Sequence, residues 1–91
     1  MISFDLAGKT AIVTGGSRGL GFDMALGLAQ AGADIAIFAR NRQTIDEACA
    51  SIADQTGRKT KGYTVDMSDI SALEGAVGQV LADFGAIDIL V

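Results

Sequence analysis

The chain has 91 residues, of which 49% are hydrophobic and 20% are charged, a composition typical of one small folded domain. Its formal net charge of −4 argues against nucleic acid and acidic membrane surfaces as partners, and no apolar run approaches the roughly 20 residues of a membrane span. The absence of histidine excludes a Ser-His-Asp triad, and one cysteine without histidine argues against a metal centre. A single cysteine, behind a start without a signal-peptide core, predicts a cytoplasmic protein.

The predicted elements alternate between strand and helix along the whole chain. Short β-branched runs such as "KTAIVT" predict strands, and apolar residues at helical spacing, such as Met24, Ala25, Leu28 and Ala29, predict helices. Glycine follows each predicted helix, where it is favoured as a stop signal. In chain order we expect strand 9–14, helix 18–31, strand 33–39, helix 43–55, strand 61–65, a helix capped by Ser68 and running to residue 84, and strand 87–91.

This βαβαβαβ order predicts an open, doubly wound parallel sheet of the Rossmann type, with helices on both faces. The chain contains no proline, low-complexity linker or block of like charge that would mark a boundary, so we expect residues 1–91 to belong to a single domain. Cys49 falls on the apolar stripe of the second predicted helix and is predicted to be a buried structural thiol.

A glycine-rich turn, "TGGSRGLG", joins the first predicted strand to the first predicted helix. At this position a helix N-terminus presents free N–H groups and the positive end of its dipole, which favours a phosphate. Gly15 would allow the tight turn, Gly19 would let a pyrophosphate approach the backbone, and Gly21 would let the helix pack closely. Ser17 can offer a hydroxyl to the phosphate. The alternative interpretation is a connecting loop that is merely rich in glycine.

Four stretches in the expected order resemble the N-terminal half of the short-chain dehydrogenase/reductase family: "GKTAIVTGGSRGLG", "AGADIAIFARN", "VDMSD" and "FGAIDILV". The resemblance extends over nearly the whole chain. Within the family, the chain looks most like the branch of 3-oxoacyl-carrier-protein reductases and gluconate-type dehydrogenases. The resemblance implies an oxidoreductase that transfers a hydride between a nicotinamide cofactor and a carbonyl or secondary alcohol of a small molecule.

The resemblance also implies roles for particular residues. The positions in the turn that would hold the cofactor phosphates and the adjoining ribose are Gly15, Ser17, Gly19, Leu20 and Gly21. Asp66 would accept a hydrogen bond from the adenine amino group, and the backbone of Met67 would complete adenine recognition, while Asp88 would be structural. Taken without the resemblance, Asp66 would be interpreted as a solvated acid at a helix entry.

The end of the second predicted strand bears on the choice between NADP and NAD. An NAD site places an acidic residue about twenty residues after the glycines, whereas this chain has Ala39 and Arg40 there. A guanidinium can bind the 2′-phosphate of NADP, and Arg18 could approach the same phosphate from the turn. We therefore predict NADP rather than NAD, with Asn41 in the cofactor-binding set. The alternative is that Arg40 and Arg42 are surface charges.

The catalytic groups that the resemblance implies are an Asn after the fourth strand, a Ser and a Tyr-x-x-x-Lys pair, and this chain contains none of them. Tyr63 is followed four residues later by Met67 and is predicted to be a packing residue. The chain ends inside an apolar strand, so we expect the N-terminal part of a longer domain, without activity of its own. The other possibility is a non-catalytic nucleotide-binding or self-associating module. An apolar edge formed by Ile87, Ile89, Leu90 and Val91 predicts self-association.

Overall fold

The computed structural model describes residues 5–91 and contains all seven predicted elements. Their bounds are β1 (Thr10–Thr14), α1 (Gly19–Gln30), β2 (Asp34–Ala39), α2 (Arg42–Thr56), β3 (Thr60–Thr64), α3 (Ile70–Phe84) and β4 (Ile89–Leu90). Most ends lie within one or two residues of the prediction, but β4 is much shorter than expected. The expectation about the start of the chain falls partly on residues 1–4, which lie outside the described residues.

The four strands form one parallel sheet in the order β3-β2-β1-β4. Ile12 in the centre of β1 pairs with Ala36 on one side and with Leu90 on the other. The first two crossovers step away from β1 in one direction, and the third returns to its other side. Because parallel crossovers are right-handed, this reversal places helices on opposite faces. The predicted doubly wound parallel sheet is confirmed, and β4 lies beside β1.

The two faces of the sheet carry separate apolar cores. Side chains alternate along each strand, so Ala11 and Val13 face α1 and α2 while Ile12 faces α3. On the α3 face, Phe38 and Tyr63 meet edge to face with ring centroids 5.6 Å apart. Strands that are apolar on both faces are typical of parallel sheets covered by helices on each side. This explains why β1 and β2 are almost continuously hydrophobic.

The caps of the helices are local, and one of them differs from the prediction. Gly57 and Gly85 end α2 and α3 in the left-handed conformation, with φ of 70° and 88°. The predicted N-cap of α3, Ser68, is wrong. Asp69 caps the helix instead, because its carboxylate accepts a hydrogen bond from the Ala72 N–H at 3.1 Å.

The packing leaves apolar side chains of α1 and β4 exposed. Met24 is 40% exposed, because α1 turns Ala25 and Ala29 to the sheet and leaves Met24 at the border of that stripe. The predicted apolar ribbon along β4 is also wrong in part. Ile89 is partly buried against the core on the α1 and α2 face, whereas Leu90 projects on the other face and is 72% exposed.

Cys49 and Tyr63 are both packed against the sheet. Cys49 is half-buried against the core on the α1 and α2 face, and this burial raises the pKa of its thiol to about 11. Such a thiol is protonated at neutral pH and is a poor nucleophile. Tyr63 is buried in the core beneath α3, which confirms that it is a packing residue.

Candidate functional site

The glycine-rich turn has a backbone that requires glycine at two positions. Gly15 and Gly19 adopt positive φ angles of 68° and 62°, which residues other than glycine rarely adopt. The Gly15 N–H donates to the Phe38 carbonyl at 2.7 Å, which fixes the turn to the end of β2. At Gly19 there is nothing within 4 Å of the position where a Cβ would lie. The backbone at Gly19 therefore borders open space.

Gly21 is required for a different reason, which is close packing. A Cβ on Gly21 would lie 2.3 Å from the Gly15 carbonyl oxygen and 2.9 Å from the Gly15 carbonyl carbon. The first turn of α1 thus rests directly on the backbone of the preceding loop. Gly16 is also tightly placed, because a Cβ there would lie 3.1 Å from Cγ1 of Val13. These contacts hold the N-terminus of α1 against the end of β1.

The N-terminus of α1 differs from the other two helix starts. Asn41 caps α2 through a hydrogen bond from the Thr44 N–H, and Asp69 caps α3 in the same way. Arg18, at the N-cap of α1, makes no capping hydrogen bond with its side chain. Its first N–H groups therefore need another partner, and their partial positive charge favours an anion.

The ends of β2 and β3 bring the remaining predicted residues to the same edge of the sheet. Arg40 directly follows β2 and is exposed, and Asp66 and Met67 follow β3. Oδ1 of Asp66 accepts hydrogen bonds from the Ser68 hydroxyl at 2.7 Å and the Ser68 N–H at 3.0 Å. These bonds lower the pKa of Asp66, and the positive charge of Arg40 lowers it further. Asp66 is therefore an ionised hydrogen-bond acceptor at neutral pH.

All ten predicted cofactor-binding residues consequently lie along the carboxyl edge of the sheet, where ligands bind in open α/β folds. One of them also has a structural role that the sequence did not predict, because Asn41 caps α2. Arg18 occupies the N-cap position of α1 without capping it. The structural role predicted for Asp88 is present, because its carboxylate accepts a hydrogen bond from the Thr10 N–H at 2.9 Å.

Arg42 has a partner that sequence reasoning missed. Its guanidinium forms an ion pair with Asp46 at 2.7 Å and donates to the Gly62 carbonyl at 3.3 Å. The alternative interpretation treated Arg42 as a surface charge. Arg42 is exposed, but it also contacts both α2 and β3. The i, i+4 spacing of Arg42 and Asp46 was the available signal for the ion pair, but nothing local pointed to Gly62.

Across residues 5–91, no group of three or more histidine, cysteine, aspartate or glutamate side chains is arranged to hold a metal ion. None of the helices described in this range has the length and apolar character needed to cross a membrane.

The fold and the glycine-rich turn together define the class of protein. A doubly wound parallel sheet with a close-packed glycine-rich turn at its first βα junction is a Rossmann-type α/β architecture. The sequence profile of the family described as short chain dehydrogenase matches residues 9–91. The chain belongs to the short-chain dehydrogenase family.

Individual relatives agree with this assignment. The chain is 46% identical over 88 residues to 2-dehydro-3-deoxy-D-gluconate 5-dehydrogenase of Pseudoalteromonas atlantica, an alignment that covers 97% of this chain and 35% of that protein. Both branches expected from the sequence, gluconate-type dehydrogenases and 3-oxoacyl-carrier-protein reductases, occur among the relatives. The chain thus spans about a third of the length of the curated relatives it matches.

Solved structures show the same architecture with either cofactor. L-Sorbose reductase from Gluconobacter frateurii, in complex with NADPH and L-sorbose, superposes with a TM-score of 0.93 at 32% identity and covers 98% of this chain and 34% of its own. An NAD+-bound xylitol dehydrogenase superposes with a TM-score of 0.90 at 36% identity, with 93% of this chain and 32% of its own covered.

Proposed function

We propose that this chain is the cofactor-binding part of an NADP-dependent oxidoreductase that transfers a hydride between nicotinamide and a carbonyl or secondary alcohol of a small molecule. In this role, the first turn of α1 binds the pyrophosphate, Arg40 and Arg18 bind the 2′-phosphate, and Asp66 accepts a hydrogen bond from adenine. A cytoplasmic protein with a dinucleotide and a small molecule as its partners is part of the same proposal.

The observation that carries the proposal is the start of α1. This helix begins without a side-chain cap, on a turn whose glycines leave open space at Gly19 and close packing at Gly21. Unpaired N–H groups, a positive dipole end and a bare backbone are what a pyrophosphate requires. The other two helix N-termini have their own capping side chains and offer less to a phosphate.

The preference for NADP is supported by charge at the end of β2. Ala39 ends the strand and Arg40 follows it, so no carboxylate stands where one would bind the ribose hydroxyls of NAD. The guanidinium of Arg40 is exposed and lies close enough to Asp66 to lower its pKa. Both NADPH and NAD+ occur in similar structures, so the proposed preference for NADP depends on Arg40.

The proposed phosphate site is tested by placing a side chain on the turn. We expect Gly19→Val to weaken NADPH binding by more than about 100-fold, because the side chain occupies the open space and strains a left-handed backbone. Binding is measured by titration calorimetry and helical content by circular dichroism. Gly27→Val is the matched control, since Gly27 lies in the same helix with nothing within 4 Å of its Cβ position. Unchanged NADPH affinity in Gly19→Val would place the site elsewhere.

The proposed cofactor preference is tested at Arg40. We expect Arg40→Asp to weaken NADPH binding by about 10- to 100-fold, the range expected for losing charge-assisted hydrogen bonds, and to strengthen NADH binding. Lys9→Asp makes the same charge change just before β1, at the opposite edge of the sheet, and serves as the control. Equal losses of NADPH affinity in the two variants would show that the effect comes from the overall charge of the protein and not from a contact with Arg40.

We also expect the isolated chain to bind NADPH without oxidising it when ketones are added. Its one tyrosine is buried, and the hydroxyl of Tyr63 donates to Asp83 at 2.7 Å, so this phenol is already committed to a structural bond. Ketone-dependent loss of NADPH absorbance would contradict the expectation. Binding without turnover agrees equally with a non-catalytic nucleotide-binding module, and activity of a longer protein that includes this chain distinguishes the two.

A further inference from the structure

The hydroxyl of Ser68 does not cap α3, because Asp69 has that role. It donates instead to Oδ1 of Asp66 at 2.7 Å, and the Ser68 N–H donates to the same oxygen at 3.0 Å. Both donors of Ser68 thus bind one carboxylate oxygen. The partner of this serine is therefore Asp66 and not the helix that follows it.

The segment between β3 and α3 forms a turn around Asp66. The Asp69 N–H donates to the Asp66 carbonyl at 3.0 Å, which closes the backbone over residues 66–69. Within this turn the carboxylate of Asp66 accepts the N–H of Ser68, which is the arrangement of an Asx turn. The side chain of Asp66 is therefore attached to the same turn that leads into α3.

The two oxygens of the Asp66 carboxylate differ in their surroundings. Oδ1 accepts two hydrogen bonds, whereas Oδ2 accepts none from the residues between 5 and 91. Asp66 is exposed, so without these bonds its side chain would be free to rotate in solvent. Because Oδ1 is already held, a ligand that donates to Oδ2 does not have to order the side chain as it binds.

Arg40 is the charged group that could draw this carboxylate away. It follows β2, which pairs with β3, and its charge lowers the pKa of Asp66 after the larger effect of the Ser68 hydrogen bonds. The ion pairs found among the described residues do not join Arg40 to Asp66. Such an ion pair would occupy both the acceptor proposed for adenine and the guanidinium proposed for the 2′-phosphate. The bonds from Ser68 keep the carboxylate in its own turn, so both groups stay available.

We propose that Ser68 is a positioning residue for adenine recognition, because it fixes Oδ1 of Asp66 and leaves Oδ2 as the acceptor for the exocyclic amino group of the cofactor. This inference rests on the proposed function, in which Asp66 accepts a hydrogen bond from adenine. Ser68 acts through Asp66, so its effect depends on a donor on the purine ring. Hypoxanthine has a carbonyl oxygen in place of that amino group, and a carboxylate cannot accept a hydrogen bond from it.

The test compares NADPH with its hypoxanthine analogue on the full chain, and titration calorimetry measures both affinities. We expect the wild type to bind NADPH at least about tenfold more tightly than the analogue, the effect of one hydrogen bond to a charged group. In Ser68→Ala we expect this ratio to fall to about two- to threefold, because a carboxylate that is no longer fixed binds the amino group less well. The affinity for the analogue should stay the same.

Two further variants separate positioning from damage to α3. Ser68→Thr keeps the hydroxyl and should keep the wild-type ratio. Ser71→Ala makes the same substitution at an exposed position in the first turn of α3, and it should also keep the ratio. A weakened helix would lower the affinity for both dinucleotides together and leave their ratio unchanged.

A second measurement needs no cofactor. Nuclear magnetic resonance of the Asp66 carboxyl carbon across a pH series gives the pKa of this group. In the wild type it should lie below the ordinary value of 3.8, and in Ser68→Ala it should rise toward that value. In Ser71→Ala it should match the wild type.

The proposal is overturned if Ser68→Ala keeps either the wild-type affinity ratio or the wild-type pKa of Asp66. It is equally overturned if Ser68→Thr loses the ratio or if Ser71→Ala lowers it as far as Ser68→Ala does. A wild type that binds both dinucleotides equally would remove Asp66 and Ser68 from adenine recognition and leave the phosphate site intact. A wild type that binds neither dinucleotide would overturn the proposed function itself, and this proposal with it.

Discussion

The β3 edge of the sheet is flanked by charged side chains that bond across it, whereas the β4 edge carries an exposed leucine. On the α3 side of β3, Nζ of Lys61 lies 2.8 Å from Oδ2 of Asp83, which also accepts a hydrogen bond from Tyr63. On the α2 side, Arg42 bonds to Gly62. Side chains from both adjacent helices thus restrict approach to β3.

The surroundings of the β4 edge are different. Leu90 is 72% exposed on the face that carries α3, where it borders an apolar groove of about 330 Å³. The groove is lined by Thr14, Phe38, Leu73, Val77, Leu90 and Val91. The contrast shows that edge character in this sheet depends on the helices beside each strand as well as on the strand itself.

The charged contacts beside β3 connect the last turn of α3 to the strand. A carboxylate in the last turn opposes the helix dipole, so Asp83 is unfavourable for α3 alone. Hydrogen bonds from Lys61 and then Tyr63 lower the pKa of Asp83 and compensate for its position. Lys59 also donates to the Asp83 carbonyl and lies 4.4 Å from the centre of the Phe84 ring.

The largest effect is expected at the β4 edge. We predict that the chain self-associates through β4 and that Leu90→Lys shifts it to monomer, because a charge on an edge strand opposes pairing. Light scattering across a concentration series measures the change. Leu81→Lys makes the same substitution at an exposed position of α3 that does not line the groove, and it should leave association unchanged.

Leu90, and not Ile89, is the residue of β4 at which an added charge tests association through this edge. Ile89→Lys would place a charge against the core on the α1 and α2 face, so it should lower stability rather than test the edge. A wild-type chain that stays monomeric at every concentration would contradict the prediction for β4. So would a Leu90→Lys variant that associates as strongly as the wild type.

An intermediate effect is expected where β3 meets α3. We predict that Asp83→Asn lowers the Tm by a few degrees at neutral pH, because the ion pair with Lys61 is lost. Asp54→Asn is the control, since Asp54 also lies in the last turn of its helix but is exposed. That variant should keep or slightly raise the Tm by relieving the opposed dipole. Equal Tm values for Asp83→Asn and the wild type would show that the contacts at Asp83 do not stabilise the β3 flank.

The smallest effect is a difference in alkaline stability. Burial, and then the hydrogen bond to Asp83, raise the pKa of Tyr63 above its ordinary value of 10.0. The folded state therefore retains the phenol proton longer than the unfolded state does, so the contribution of Tyr63 is complete below about pH 10 and declines above it. Asp83 has the opposite dependence, because its lowered pKa contributes stability that is lost as pH falls below about 3.8.

We predict that the free energy of unfolding of the wild type exceeds that of Tyr63→Phe by a constant amount near neutral pH. This difference should shrink as the pH rises above about 10. Denaturant titrations of both proteins at a series of pH values measure it. Cys49, whose thiol also has a raised pKa, is present in both proteins and cancels in the difference. If the difference in the free energy of unfolding grew above pH 10, the direction assigned to the pKa shift of Tyr63 would be wrong.

Much of the fold could be predicted because its signals are local. Strand and helix periods, together with glycines such as Gly57 and Gly85 at helix ends, depend on residues within a few positions of one another. The alternation of elements then restricts the sheet to parallel pairing with right-handed crossovers. The position of the glycine turn at the carboxyl edge follows from the same order, so the location of the candidate site was also predictable.

The sequence by itself therefore determined the order of elements, the class of fold and the edge at which the candidate site lies. Only the tertiary structure decided which side chains meet across elements. Arg42 reaches Gly62, and Asp83 receives Lys61 and Tyr63, through contacts that exist because α2 and α3 pack on particular strands. The partial burial of Ile89 and the exposure of Leu90 were decided in the same way. Adjacent residues of a strand face opposite sides of the sheet, and which side is covered depends on the helices.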